Sequence, residues 1–433
     1  MGTWELSFLG LGGMLLLMAM GMPIAFAMLL SGGIGIATIV GPQAALSMVG
    51  QLAVSVTTNY DLSVAPMFIL MGAFVTRAGM SHDLYDACHA FLGHLRGGLA
   101  MATVAACGGF AAVCGSSLAT AATMSKVAMP SMRRYGYKDS LAAGSIASGG
   151  TLGILIPPSV ILVIYGILTG TDIGKLFIAG IIPGIMTIGM YIVAIIIITK
   201  IHPEAGPPAD RVLYRERFTR LRRVTAIGIL FLFIIGGIYL GVFTPTEAGG
   251  VGAFGAFVFT LCRRILTVRI FFECLLETVQ TSAMLFIVLV GAIIFSNFVN
   301  LAGLPSALSD FVTQKALPPL GVMAMMILIF MVMGCFLESL SMVLLMVPIF
   351  FPIALSLGFH PVWFGIVVVM VTELSFITPP VGLNLFVLKS TIKDINMATI
   401  YRGIFPFAIA DVIRISTIIW FPSIVLFLPS MGG

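Results

Sequence analysis

Two clusters of small, oxygen-bearing residues in this chain could hold an ion. The first sets Gly115, Ser116, Ser117 and Thr120 against the stretch Gly149-Gly150-Thr151-Leu152-Gly153-Ile154-Leu155-Ile156-Pro157-Pro158-Ser159. The second sets Glu338, Ser339 and Ser341 against Thr372, Glu373, Ser375, Thr378 and Pro379, with Asn384 a weaker member. Hydroxyls and freed backbone carbonyls suit Na⁺, a hard cation that takes oxygen ligands. The expected contributors are Gly115, Ser116, Gly150, Thr151, Gly153 and Pro157 in the first cluster. In the second they are Glu338, Ser339, Thr372, Ser375, Thr378 and Pro379. Helix N-termini starting after each tip would aim partial positive charge at an anion. That makes Ser116, Ser117, Thr120, Ser339, Ser341 and Asn384 candidates for contacting a transported solute. The competing reading is that Ser and Thr cap ordinary helix ends and that the two carboxylates hold a hairpin in place.

Catalysis is not expected. The chain has no Walker A pattern, no metal-binding His/Glu pair and no nucleophile elbow, and the Ser116-Ser117 pair has no histidine nearby. Its five histidines are scattered, and its six cysteines lack CxxC spacing and read as small packing residues. Without an ATP site, any transport must run on an ion gradient or on the solute's own.

Breaks in apolar helices must position these oxygens. Proline removes a backbone donor and clashes with the preceding turn, so an unbroken helix across Pro157-Pro158 would be costly. In lipid, unwound backbone survives only where it is buried in protein or lines a wet cavity. A kinked structural helix is the simpler alternative. Shifting the chain by 222 positions lays Pro157-Pro158 on Pro379-Pro380, Pro130 on Pro352, Gly136 on Gly358 and Ser117 on Ser339. No gap is needed from Ser116–Leu168 against Glu338–Ser390, and Phe74-Val75 and Ala78-Gly79 answer Phe298-Val299 and Ala302-Gly303 after a two-residue adjustment. Matched prolines and glycines are not cheap, so this is an internal repeat of the kind that builds secondary transporters.

Composition agrees. The chain has 433 residues, 59% hydrophobic and 9% charged, with mean hydropathy +1.14, which describes a polytopic helical membrane protein and no soluble domain. The net charge of +5 sits in short loops and reports orientation, not nucleic-acid binding. Spans are expected at 4–21, 24–40, 61–77, 173–199, 224–241, 246–262, 275–301 and 403–428, with a broken span at 139–169 and another at 361–391. Interfacial helices are expected at 81–95 and 304–316, and re-entrant hairpins at 97–134 and 318–358. That gives ten crossings with both termini outside. The loop 200–223 carries seven Lys/Arg against three acids and should be cytoplasmic. Hairpin one is basic at its mouths and hairpin two is not, as expected of inverted repeats. Trp4, Trp363 and Trp420 would then lie near the outer side, and Asp411 and Arg414 at i, i+3 would pair.

These motifs resemble the large membrane subunit, the DctM or SiaM type, of TRAP (tripartite ATP-independent periplasmic) transporters. The resemblance covers essentially the whole chain. It rests on Gly-Met-Pro-Ile-Ala at 21–25, Phe-Ile-Leu-Met-Gly at 68–72, Cys-Gly-Ser-Ser-Leu-Ala-Thr at 114–120 and the 149–159 stretch. In the second repeat it rests on Glu338-Ser339 and Thr378-Pro379-Pro380-Val381-Gly382. It implies an all-α fold with an inverted repeat, re-entrant hairpins, broken helices and an elevator motion. It also implies Na⁺-coupled uptake of an organic acid, such as a C4-dicarboxylate or sialic acid, across the bacterial inner membrane. The implied partners are a periplasmic solute-binding protein and a small four-helix membrane subunit, here expected as a separate polypeptide. Family sodium sites lie at the two tip-and-break pairs.

The resemblance divides the chain into scaffold helices at 1–60 and a scaffold span with arm helix at 61–95. The first transport repeat is 96–172, further scaffold with the second arm is 173–317, the second transport repeat is 318–392, and the C-terminal span is 393–433. A stand-alone carboxylate carrier would share the repeats without needing a binding protein. A channel or membrane scaffold would fit the hydropathy but leave the paired breaks unexplained.

Overall fold

The computed structural model describes residues 3–431 except Ala316, the last residue of the expected interfacial helix 304–316. Among the described residues it is all helix, with no strand. The opening helices are α1 (Thr3–Ala19), α2 (Ile24–Val40), α3 (Pro42–Thr57), α4 (Val64–Arg77) and α5 (Met80–Leu92). The first hairpin is α6 (Gly98–Cys114) and α7 (Ser117–Arg134), followed by the interrupted pair α8 (Asp139–Thr151) and α9 (Val160–Thr169) and by α10 (Ile173–Ile201). Then come α11 (Tyr214–Tyr239), α12 (Pro245–Cys262), α13 (Val268–Leu301) and α14 (Leu304–Gln314). The second hairpin is α15 (Pro319–Gly334) and α16 (Ser339–Ser356), followed by the interrupted pair α17 (Pro361–Ile377) and α18 (Leu383–Thr391), then α19 (Met397–Trp420) and α20 (Ser423–Met431).

The order hairpin, interrupted helix, long helix therefore occurs twice. Local chemistry sets the boundaries. Proline stands at the first helical position of α3, α12 and α17, where its missing donor costs nothing. Thr244 and Glu247 close a capping box at the start of α12. The hairpin mouths end on Gly136 and Gly358, at φ +76° and +80°, where a side chain would be strained.

Three details differ from the sequence reading. The charged loop after α10 is shorter than 200–223, because α11 already begins at Tyr214 and carries its basic first turns as helix. Among the described residues, five helices are individually long and apolar enough to cross a membrane, or six if the bent pair across residues 42–77 is one span. The ten expected crossings count several segments that glycine and proline divide into shorter helices. Trp4 and Trp420 are exposed, but Trp363 is buried and donates its indole N–H to Ile418 O at 3.1 Å. Trp363 is therefore a packing residue and not part of an aromatic belt.

Helices meet closely where both sides are small. A Cβ on Gly32 would stand 2.7 Å from Phe295 Cα, and one on Gly291 would stand 2.4 Å from Ala25 O, so α2 and α13 touch backbone to backbone. Two apolar cores result. One gathers α1–α4, α9, α11–α17, the start of α10 and the end of α19, and the other gathers α6–α8, α18 and the remainder of α10 and α19. At the edge of the second core Arg133 bridges Asp139 at 2.9 Å and Asp394 at 2.7 Å, joining the mouth of hairpin one to the loop after α18. The hydrogen bond from Arg133 holds the Asp394 carboxyl below its ordinary pKa.

Candidate functional site

The first cluster assembles. Pro157 and Pro158 have no amide hydrogen, so Gly153 O and Ile154 O lose their helical donors, and the chain passes through a 3-10 turn at Leu152–Ile154. Ile154 O instead accepts the Ser159 hydroxyl at 2.5 Å. The tip of hairpin one lies directly on this break. A Cβ on Gly153 would stand 2.6 Å from Ser116 C and O and 2.7 Å from Ser117 N, and one on Gly115 would stand 3.2 Å from Pro158 O. Ser117 Oγ donates to Thr151 O at 3.1 Å, Thr120 Oγ1 to Ser116 O at 2.7 Å, and Thr151 Oγ1 to Ser148 O at 2.8 Å. Gly150 packs against Ala121 of α7. All three hydroxyls donate to carbonyls, so each keeps oxygen lone pairs free to accept, and the cluster holds no charged side chain. Such a donor set fits an alkali cation and offers nothing to a soft metal.

The second cluster assembles in part. Thr372 Oγ1 donates to Val368 O at 2.8 Å, Ser375 Oγ to Thr372 O at 2.7 Å and Thr378 Oγ1 to Leu374 O at 2.6 Å. Gly334, on the tip of hairpin two, packs against the Ser375 side chain. Pro157-Pro158 and Pro379-Pro380 are both joined by cis peptide bonds. The surroundings differ, however: Pro157 and Pro158 are buried, whereas Pro379 and Pro380 are exposed, and Pro380 O accepts the Tyr401 hydroxyl at 2.9 Å. Ser339 opens α16, and Ser341 donates to Glu338 at 3.2 Å. Glu338 and Ser341 line a cavity of about 510 Å³ shared with Pro23–Phe26 and with Met284 and Val288 of α13. Glu338 therefore faces the opening helices, with no hydrogen bond to the break.

Asn384 connects the halves, donating to Ala147 O of α8 at 3.2 Å. Its Oδ1 and the hydroxyl of neighbouring Ser148 are buried without partners, so two polar atoms remain unsatisfied beside the first break. Sequence reading missed Ser148, because one serine in an Ala- and Gly-rich helix gives no signal.

A second unforeseen feature lies behind the breaks. Arg414 Nη2 donates to Glu373 Oε2 at 2.9 Å and stands 3.0 Å from Asp411 Oδ1. Arg414 Nη1 donates to Thr187 Oγ1, and the Tyr191 hydroxyl donates to Asp411 Oδ2 at 2.6 Å. All five side chains are fully buried. The expected Asp411–Arg414 pair is present, and the structure adds Glu373 to it. A signal existed: a shift of 223 lays Gly180-Ile-Ile-Pro183 on Gly403-Ile-Phe-Pro406 and Tyr191 on Arg414.

The family model of the DctM component of the tripartite ATP-independent periplasmic transporter matches residues 11–424. The chain belongs to this family. It is 37% identical to the C4-dicarboxylate TRAP transporter large permease protein DctM of Pseudomonas aeruginosa, over 87% of each chain. It is 33% identical to the sialic acid TRAP transporter large permease protein SiaM of Vibrio cholerae, over 97% of each. Among solved structures, the YdaH transporter of Alcanivorax borkumensis superposes with a TM-score of 0.66 at 12% identity, covering 89% of this chain and 90% of that one. That likeness speaks for the fold alone. As a TRAP large permease, the chain is a polytopic membrane transporter subunit and not an enzyme.

Proposed function

We propose that this chain is the large subunit through which Na⁺ drives ATP-independent uptake of an organic acid across the bacterial inner membrane. The observation that carries the reading is the first tip-and-break pair, where the tip of hairpin one packs directly on Gly153 and Ser117 Oγ donates to Thr151 O, bringing neutral oxygens of two elements together. A C4-dicarboxylate, sialic acid or related carboxylate is the solute class, on the strength of what the DctM and SiaM relatives are named for. A periplasmic binding protein delivers it, and a small four-helix subunit extends the scaffold. The hairpins and interrupted helices move as an elevator, and α10, which the domain division placed in the scaffold with 173–317, travels with them because it packs on Leu155 and Ile156 of the first break.

The test is uptake into proteoliposomes under a Na⁺ gradient, with the small subunit, the loaded binding protein or Na⁺ omitted in turn. Each omission is expected to bring uptake to background. Full-rate uptake by the lone chain would replace this reading with a stand-alone carrier.

The proposal includes repeats inverted in the membrane with both termini periplasmic. Gly136 and Gly358 have positive φ and tolerate cysteine poorly, so their exposed flanks are the better reporters. In a cysteine-free background, Arg134→Cys should label from the cytoplasm and Ser356→Cys from outside. Labelling of both from one side would refute the inversion.

A further inference from the structure

The two breaks can be traced to one another through α10. Gly180, Gly184, Thr187 and Tyr191 recur at three- and four-residue spacing and share one face of that helix. At one end this face lies on the first break. A Cβ on Gly180 would stand 2.7 Å from Leu155 O, and one on Gly184 would stand 2.8 Å from Ile156 Cγ1. Farther along, Thr187 receives Arg414 and Tyr191 donates to Asp411. Arg414 in turn grips Glu373, which stands between Thr372 and Ser375 of the second break. The line of contacts runs from the first break to Glu373, in the last two turns of α17 before the second break, through buried side chains.

We infer that Arg414, acting through Glu373, is a positioning residue that couples the two breaks, so that a cation held at one raises affinity at the other. The inference rests on the Na⁺ reading above. Its physical basis is the guanidinium: planar, permanently charged, and holding partners on α10, α17 and α19 at once. Loosening one partner would leave a buried charge poorly paired, so the arrangement shifts as a unit or not at all. A packed element with such discrete states is what carries coupling between separate sites. When the first break closes on a cation it fixes α10, and through Arg414 it fixes α17 before the second cation arrives. The second site then binds an element already ordered, which is positive cooperativity.

The test is the Na⁺ dependence of uptake by the complete transporter in proteoliposomes. The wild type is expected to be sigmoidal, with a Hill coefficient approaching about 2 for two linked sites. Glu373→Gln leaves Arg414 balanced by Asp411 but replaces the ionic grip on α17. It should lower the Hill coefficient to about 1 and raise half-saturating Na⁺ about tenfold, within the usual range of coupling. Asp411→Asn disturbs the charge equally but keeps the Glu373–Arg414–Thr187 line, and it should stay sigmoidal. Should Glu373→Gln fail to assemble, Thr187→Val cuts the same line at α10 without touching a charge and should give the same loss. A Glu373→Gln or Thr187→Val transporter as sigmoidal as the wild type would overturn the inference. So would equal loss in Asp411→Asn, since that would mark a purely structural cluster. A wild type that needs Na⁺ but responds hyperbolically would overturn the coupling alone, whereas one indifferent to Na⁺ would overturn the Na⁺ reading and the coupling with it.

Discussion

Gly153→Val is expected to cut Na⁺-driven uptake about a hundredfold, the loss that an ångström of misplacement at a working site can bring. The branched side chain has nowhere to go. Its Cβ alone would stand 2.6 Å from the Ser116 carbonyl and 2.7 Å from Ser117 N, and these are backbone atoms that no rotamer change can move. The tip of hairpin one must back away from the break, and the Ser117–Thr151 hydrogen bond at 3.1 Å separates with it. Na⁺ needed for half-maximal uptake should rise in whatever transport survives. Assembly with the small subunit, followed by co-purification, should persist. Uptake with wild-type Na⁺ dependence would count against the assignment. Ser116→Ala makes the contrast: it removes a hydroxyl but leaves the Ser116 carbonyl in place, and its effect should be small.

Arg414→Met is expected to destabilise the protein by about 3–5 kcal/mol, the usual result of removing one partner from a buried ionic group. Glu373 and Asp411 would then share an apolar space with no cation, and the Thr187 hydroxyl would lose its donor. Replacing Glu373 by glutamine should cost far less, because one carboxylate still balances the guanidinium. Thermal unfolding of the purified proteins in one detergent measures both. An Arg414→Met protein as heat-stable as the wild type would show that the cluster does not hold α10, α17 and α19 together.

Most of the fold was legible because membrane helices announce themselves by hydropathy and their breaks by proline and glycine. The tip at Gly115–Ser117 and the break at Gly153–Pro158 fell within the expected stretches for that reason. The first candidate cluster was readable because a repeat doubles every signal, so Ser117 and Pro157 each had a counterpart to argue from. What escaped was partnership across the fold. Nothing local to Glu373 says that its carboxylate turns toward Arg414, and nothing in Glu338-Ser339 says that Glu338 faces α2 and α13. Trp363 misled because hydropathy places a residue along the membrane normal but not around the helix axis. The gap-free repeat ends at Leu168 and Ser390, one helix short of Tyr191 and Arg414, which correspond only at a shift of 223.

The length of α13 carries a consequence for the membrane the protein inhabits. Its 34 residues extend about 51 Å at a helical rise of roughly 1.5 Å per residue, against a hydrocarbon layer of about 30 Å. Its first turns carry Arg269, Glu273 and Glu277, charges that suit the headgroup region rather than the acyl chains, and Glu273 holds Arg77 at the end of α4 at 2.8 Å. It packs against α2 at Gly291, and a helix longer than the layer is accommodated by tilting, among other adjustments. Lipid chain length then bears on that tilt, within what the packing of neighbouring helices allows. A thinner bilayer would favour more tilt and a thicker one less, so acyl composition bears on how this set of helices sits in its membrane.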